Sequence, residues 1–301
     1  VAREWFAKYE PTLSEKHAKK LRRYLENTIF PAIGGKPVTQ LEPADFLQIV
    51  QPSERLGHHE TAHKLMRLCG QVTRYARITG RVKYDVAAGL TEALTPVQTT
   101  HFAAVTLPDD IGQLLRDIDA YVGYTSVVYC LKILPYVFTR PSELRLAHWS
   151  EFDFKNATWI IPASRMKMRR EHVVPLSKQV LVLLNELHAY TGNGELLFPS
   201  ARALTTPISD AAPLAALRRM GYGKETMTLH GFRAMASTIL NELGFRVDVI
   251  EAQLAHKEPD TVRLAYNRAE YMDERCRLMQ AWADYLDGLR NTQQKRSKEE
   301  V

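Results

Sequence analysis

Residues 127–144 read VVYCLKILPYVFTRPSEL, and they decide how the second half of the chain is built. The apolar run up to Phe138 is interrupted by Lys132 and Pro135 and is too short to span a membrane, which takes about 18 to 20 such residues, so it reads as a buried helix. It leads straight to Thr139 and Arg140, and Pro141 and Glu143 suit the first turn of another helix. A buried helix thus delivers one arginine, Arg140, to a helix start, where backbone N–H groups already favour an anion.

Outward from this stretch the pattern is mainly helical with one small antiparallel sheet. Upstream, Pro108, Asp109 and Asp110 open a helix with Ile111, Leu114, Leu115 and Ile118 inward. Downstream, residues 152–154, 158–162 and 172–176 read as strands, with Arg165, Lys167, Arg169 and Arg170 at a basic hairpin tip between the last two. Ser177 caps a helix carrying Val180, Leu181, Leu184 and Leu187, closed by Gly192. A further helix is expected over residues 207–220. Thr228 precedes a helix that starts at His230 and Arg233, buries Met235, Ile239 and Leu243, and ends at Gly244. Residues 247–254, 260–267 and 270–289 are read as helices, and the tail from Arg290 as a polar, fraying end.

The first third is read as all-helical. Thr12 to Glu15 is taken as a capping box opening a helix that Pro31 ends. Pro43 starts a second helix, and a longer one carries Ala62, Leu65, Met66, Cys69, Val72 and Ala76 until Gly80. Residues 91–105 lack periodicity and are expected to link the two parts. The expected domains are therefore 1–90, an all-helical module, and 106–290, a mixed, helix-rich module, joined by the linker 91–105 and followed by a tail, 291–301.

Charge supports that division. The chain of 301 residues carries a net +6, and residues 1–90 hold 15 Lys+Arg against 9 Asp+Glu, so the whole excess lies in the first third. Clustered cations of this kind grip a phosphate backbone. Candidate DNA contacts are Lys16, Lys19, Lys20 and Arg23 on the first helix, Lys64, Arg67 and Arg74 on the long one, and Arg169 and Arg170 on the hairpin. His58, His59 and His63 lack a carboxylate partner at a spacing that suits zinc. Three distant cysteines, Cys69, Cys130 and Cys276, argue against a disulfide framework and fit a reducing, cytoplasmic setting. No signal peptide opens the chain and no apolar run suits a membrane, so no membrane partner is expected. The first residue is Val rather than Met, which is compatible with a fragment.

Six residues form an ordered chemical series: Arg140, Lys167, His230, Arg233, His256 and Tyr266. Two guanidiniums can clamp the non-bridging oxygens of a phosphodiester with bidentate, permanently charged bonds. A lysine can protonate a leaving oxygen, two imidazoles can donate hydrogen bonds or move a proton, and a phenol can attack phosphorus. His230 and Arg233 stand one helical turn apart and share a face. A phenol ionises near pH 10, so Tyr266 needs positive surroundings or a base. The spaced carboxylates of a Mg²⁺-dependent nuclease and a Walker-type glycine loop are absent from these motifs, so neither metal, ATP nor another cofactor is expected.

The strings Thr139-Arg140-Pro141-Ser142-Glu143-Leu144, His230-Gly231-Phe232-Arg233, Leu254-Ala255-His256 and Ala265-Tyr266-Asn267-Arg268, in that order, resemble the tyrosine recombinase (phage integrase) family, closest to the integrases of satellite phages and genomic islands. The resemblance spans almost the whole chain. It implies a helical core-binding domain and a catalytic domain that clamp opposite faces of the duplex, with Tyr266 as nucleophile and a 3′-phosphotyrosyl intermediate. It further implies His230 as proton acceptor, Lys167 as general acid for the 5′ oxygen, and Glu143 holding an arginine in place. Many relatives have Gly where this chain has Ala255. Double-stranded attachment sites, a homo-tetramer on two DNA sites, and an accessory bending or directionality protein are the implied partners, and an arm-binding domain would precede Val1. Tyr271 is the nearest competing phenol. A type IB topoisomerase and a non-catalytic DNA-binding protein are the alternatives. Met272, Met279, Trp282 and Leu286 form a C-terminal apolar stripe, open at this point to packing on a neighbour or on its own core.

Overall fold

The computed structural model describes residues 1–98, 103–166, 169–256 and 271–299, the last of these without side chains beyond residue 292. The chain divides into two compact units, Val1–Thr100 and His101–Val301. Among the described residues no helix is long and apolar enough to cross a membrane.

The first unit is helical: α1 (Ala2–Tyr9), α2 (Glu15–Tyr24), α3 (Phe30–Ile33), α4 (Pro43–Arg55) and α5 (His59–Ile78). The spacing of Ala62, Leu65, Met66, Cys69 and Ala76 places all five on the buried face of α5, and the first four share a core with Phe46 and Val50 of α4. Pro43 opens α4 within a Glu42–Asp45 capping box. Two readings of this unit are corrected. The α2 cap is Ser14, whose hydroxyl accepts from the His17 amide, while the Thr12 hydroxyl donates back to the Tyr9 carbonyl. Nor does Pro31 end the helical run, which continues to Ile33. Leu25–Ile29 form a π-turn in which the Phe30 amide reaches the Leu25 carbonyl, and Pro31 falls in the first turn of α3, where its missing N–H costs nothing.

The second unit is built round α7 (Thr125–Val137). Leu131, Ile133, Leu134 and Val137 are all 0–1% exposed, as expected of a helix apolar on all sides. It packs against α6 (Pro108–Ala120), α9 (Lys178–Thr191), α10 (Ala211–Arg219), α11 (Gly231–Glu242) and a long C-terminal helix, α13 (Met272–Glu299). α8 (Pro141–Arg145) follows α7, and α12 (Val247–Gln253) follows α11. The sheet is an antiparallel β1-β2-β3 meander of Phe152–Asp153, Thr158–Ile161 and His172–Pro175, with Trp159 opposite Val174 and Ile161 opposite His172.

The helix expected over 207–220 starts later, at Ala211. The preceding segment forms a second hairpin, β4 (Pro199–Ser200) with β5 (Ala203–Pro207), whose threonines favour a strand. Its base is tied down by Ser126, which donates to the Pro199 carbonyl, and by Arg145, which donates to that of Ile208. Leu243 is 46% exposed rather than buried. Successive steps of four residues drift about 40° per step round a helix of 3.6 residues per turn, so Leu243 has rotated off the face that buries Met235 and Ile239. The apolar stripe of α13 packs on its own unit: Met279, Trp282 and Leu286 are 0–1% exposed, and the Trp282 indole donates to the Pro135 carbonyl at 2.9 Å. Gly112 permits this approach, since a Cβ there would stand 2.6 Å from the Leu289 carbonyl oxygen.

Candidate active site

Where α7 ends, Phe138 takes a left-handed conformation (φ 35°) that is costly for a side chain bearing a Cβ. The kink turns the chain into the extended Arg140, which precedes α8. Glu143, 3% exposed, closes this helix start: its carboxylate accepts from the Arg140 amide at 2.9 Å and from the Arg140 guanidinium at 2.7 Å. The other terminal nitrogen of Arg140 donates to the Ala255 carbonyl at 3.3 Å. The carboxylate thus orients the arginine and balances part of its charge.

Arg233 comes from the first turn of α11. The turn begins at Gly231, whose amide is capped by the Thr228 hydroxyl at 2.9 Å, and where a Cβ would meet the Ala103 carbonyl at 2.4 Å. Only 4% exposed, Arg233 donates to the carbonyls of Phe138 (2.9 Å) and Leu254 (2.7 Å), and to His256 Nε2 (3.2 Å). Burial first, then the field of Arg140, pulls its pKa down to about 10, which leaves it protonated at neutral pH. Because Arg233 donates to His256 Nε2, the His256 proton lies on Nδ1, and Nδ1 donates to Glu251 at 2.7 Å. The half-buried His230 imidazole has its pKa lowered by burial, then by Arg233, Arg140 and His256. A neutral imidazole amid guanidiniums can take up a proton. Arg140, His230, Arg233 and His256 are thus brought into one electrostatic cluster.

Lys167 and Tyr266 lie outside the described residues. Arg165 donates to the Glu143 carbonyl at 2.8 Å and pairs with Glu151, and Met166 is buried, so the approach to Lys167 is anchored on α8. On the far side Arg169 (φ 52°) and Arg170 are exposed. The ring of Tyr271 lies 5.3 Å beneath the Arg246 guanidinium, and its hydroxyl bonds to Asp248. Ala255 stands at φ 49°, a left-handed conformation that accounts physically for glycine being acceptable there.

The cationic candidates of the first unit divide. Lys16, Lys19, Lys20 and Arg23 lie exposed on α2, with Lys20 also 5.6 Å from the Tyr24 ring. On α5, Lys64 pairs with Glu60, Arg74 stands 3.8 Å from Asp85, and Arg67 donates to the His63 carbonyl of its own helix. Local partners offset part of the charge on that helix.

Sequence reasoning missed Glu251 and a layer behind the arginines. His172 is 8% exposed, and its Nε2 donates to the Gln253 carbonyl at 3.1 Å. Burial, reinforced by Arg275, Arg233 and Arg140, depresses its pKa to about 3. The available signal was its inward register on β3, opposite Ile161. The unfolded chain binds a proton here below about pH 6.5 while the folded chain stays neutral down to about pH 3. This contribution is whole above pH 6.5 and is lost progressively as the pH falls, with a slope of at most about 1.4 kcal/mol per pH unit. His172→Gln is therefore expected to flatten the loss of unfolding free energy between pH 6 and 4. Parallel slopes in denaturant titrations of the two proteins would refute it.

Residues 1–93 match the phage integrase central domain, and residues 105–272 the phage integrase family. The chain is 39% identical to the integrase of Enterobacteria phage P4, over 97% of this chain and 69% of that protein. It is 37% identical to the integrase of Shigella phage Sf6, over 95% and 74% respectively. In fold it resembles a lambda integrase dimer bound to a COC' core site, with a TM-score of 0.66, 15% identity and coverage of 89% of this chain and 77% of that one. It is also similar to a lambda integrase tetramer bound to a Holliday junction, with a TM-score of 0.65, 14% identity and coverage of 87% and 80%. An ordered set of arginines and histidines converging on one cluster and these two family matches agree: the chain belongs to the phage integrase family of tyrosine site-specific recombinases.

Proposed function

We propose that this recombinase opens DNA at its attachment sites with Tyr266 and reseals it on the partner strand. The observation that carries this reading is the convergence of Arg140, Arg233 and His256, with His230 in the field of all three; the carbonyls of Phe138, Leu254 and Ala255 hold the two arginines. Arg140 and Arg233 bind the two non-bridging oxygens and take up the charge that develops on them. The Tyr266 oxygen attacks phosphorus, its proton passing to His230, while the bond to the 5′ oxygen breaks and Lys167 protonates the departing alkoxide. The products are a 3′-phosphotyrosyl bond and a free 5′-hydroxyl. A second 5′-hydroxyl reverses the step on the partner strand, so the bond energy is conserved and neither ATP nor a metal ion enters. Glu143 and Glu251 orient Arg140 and His256.

In this reading residues 1–90 grip the duplex, residues 106–290 perform the chemistry, and four copies act on two sites through a Holliday junction in the cytoplasm, with accessory bending proteins. The solved lambda integrase tetramer on a junction supports the assembly. The test is a nicked suicide substrate carrying the cognate site, on which the short fragment bearing the freed 5′-hydroxyl diffuses away. A denaturant-resistant adduct in the presence of a chelator is expected, and failure to form one on any cognate site overturns the reading.

The grip of the first unit has its own test. Replacing Lys19, Lys20 and Arg23 together by alanine is expected to flatten the slope of log affinity against log salt by up to about three units, at roughly 0.9 per phosphate contact. Specific and non-specific DNA should weaken alike, since phosphate contacts carry no sequence information. An unchanged slope would make these cations a solvated helix face.

A further inference from the structure

Behind the arginine pair lies a buried polar clasp that the proposed chemistry does not use. Arg275, in the first turn of α13, is 3% exposed, and Gln253, the last residue of α12, is 1% exposed. The Arg275 Nε donates to the Gln253 side-chain oxygen at 2.9 Å, and its terminal nitrogen donates to the Val173 carbonyl on β3. From the same strand His172 reaches the backbone carbonyl of Gln253 at 3.1 Å. Three elements therefore meet at one guanidinium: the strand that follows the lysine hairpin, the end of α12, and the start of α13.

Stability alone does not favour an arginine here. Taking a guanidinium out of water carries a large desolvation penalty. Its position in the first turn also places it at the positive end of the helix dipole. An apolar side chain would fill the same space without either penalty. What the guanidinium supplies is connectivity. The chain passes Gln253, lends the carbonyls of Leu254 and Ala255 to Arg233 and Arg140, runs through residues 257–270, and returns at Arg275 to bond Gln253 again. Tyr266 lies within the span so closed.

We propose that Arg275, with Gln253 as its acceptor, is a positioning residue of the recombinase. The clasp closes both ends of the span that carries the nucleophile on the elements that hold the arginine pair, and so sets where the phenol is presented. This inference rests on the reading of Tyr266 as nucleophile.

The test uses the full chain on the nicked suicide substrate, with single-turnover cleavage, DNA affinity and Tm measured together. Arg275→Met is expected to slow cleavage at least tenfold at unchanged DNA affinity. Gln253→Met, which leaves the guanidinium on Val173, should do the same at a smaller cost in Tm. The double variant Gln253→Met with Arg275→Met removes both partners, so it should regain Tm relative to the single variants while cleavage stays slow. Cleavage that recovers in step with Tm makes the clasp merely structural and overturns the proposal. A substrate with a bridging 5′ sulfur, whose leaving group needs no proton, supplies the second arm. The deficit should persist on it, and full rescue would move the effect to the lysine side and overturn the proposal as well. Failure of the underlying reading is separately visible, because Tyr266→Phe would then still form the adduct.

Discussion

Tyr266→Phe is expected to abolish the covalent protein–DNA adduct while leaving binding to the attachment site nearly intact, because a single hydroxyl is lost and no charge changes. In the proposed mechanism no nucleophile remains without that oxygen, and the residual rate should fall below detection in a suicide-substrate assay. Tyr271→Phe is the informative control. Its phenol is engaged with Asp248 and its ring packs under Arg246, so its loss should perturb that corner and leave the adduct in place. An adduct from Tyr266→Phe, together with none from Tyr271→Phe, would exchange the two assignments.

Arg140→Ala and Arg233→Ala should each slow single-turnover cleavage by two orders of magnitude or more, about 3 kcal/mol of transition-state stabilisation apiece, the usual cost of deleting a preorganised donor. Their secondary effects should differ. Removing Arg140 leaves the buried Glu143 carboxylate without its guanidinium, and removing Arg233 frees the carbonyls of Phe138 and Leu254 together with His256 Nε2. The second substitution breaks bonds that tie α11 to the chain after α7 and to the chain after α12, so Arg233→Ala should lower Tm further. Arg233→Lys should rescue little, since an ammonium cannot reproduce a planar fork with several directed bonds. A loss below tenfold in cleavage, with Tm and DNA affinity measured alongside, would remove that arginine from the clamp.

The arginine substitutions address a cluster whose members the sequence supplied in order but could not place. His230 and Arg233 share a turn of α11, so their proximity follows from helical periodicity alone. Arg140 and Arg233 belong to distant parts of the chain, and no local rule says that Phe138 will adopt a left-handed turn to offer its carbonyl to Arg233. The cap of α2 is Ser14 rather than Thr12 because the two are chemically equivalent caps, and which one serves depends on where the preceding 3-10 turn, Glu10–Thr12, ends. The β4–β5 hairpin was missed because its strands are short and exposed, which leaves no apolar alternation to read.

Sequence by itself determined the element types with strong periodicity, the buried character of α7, the excess of positive charge in the first third, and the chemical inventory needed for phosphoryl transfer. These are local or additive properties, written in spacing and composition. Tertiary structure alone decided that Glu251 orients His256, that α13 lays its apolar stripe on its own unit, and that His172, Gln253 and Arg275 meet behind the arginines. Those facts depend on segments far apart in the chain arriving at the same point. A buried arginine, histidine or glutamine reads in sequence like a surface one, and only the path of the backbone shows which polar groups have been taken out of water and what must satisfy them.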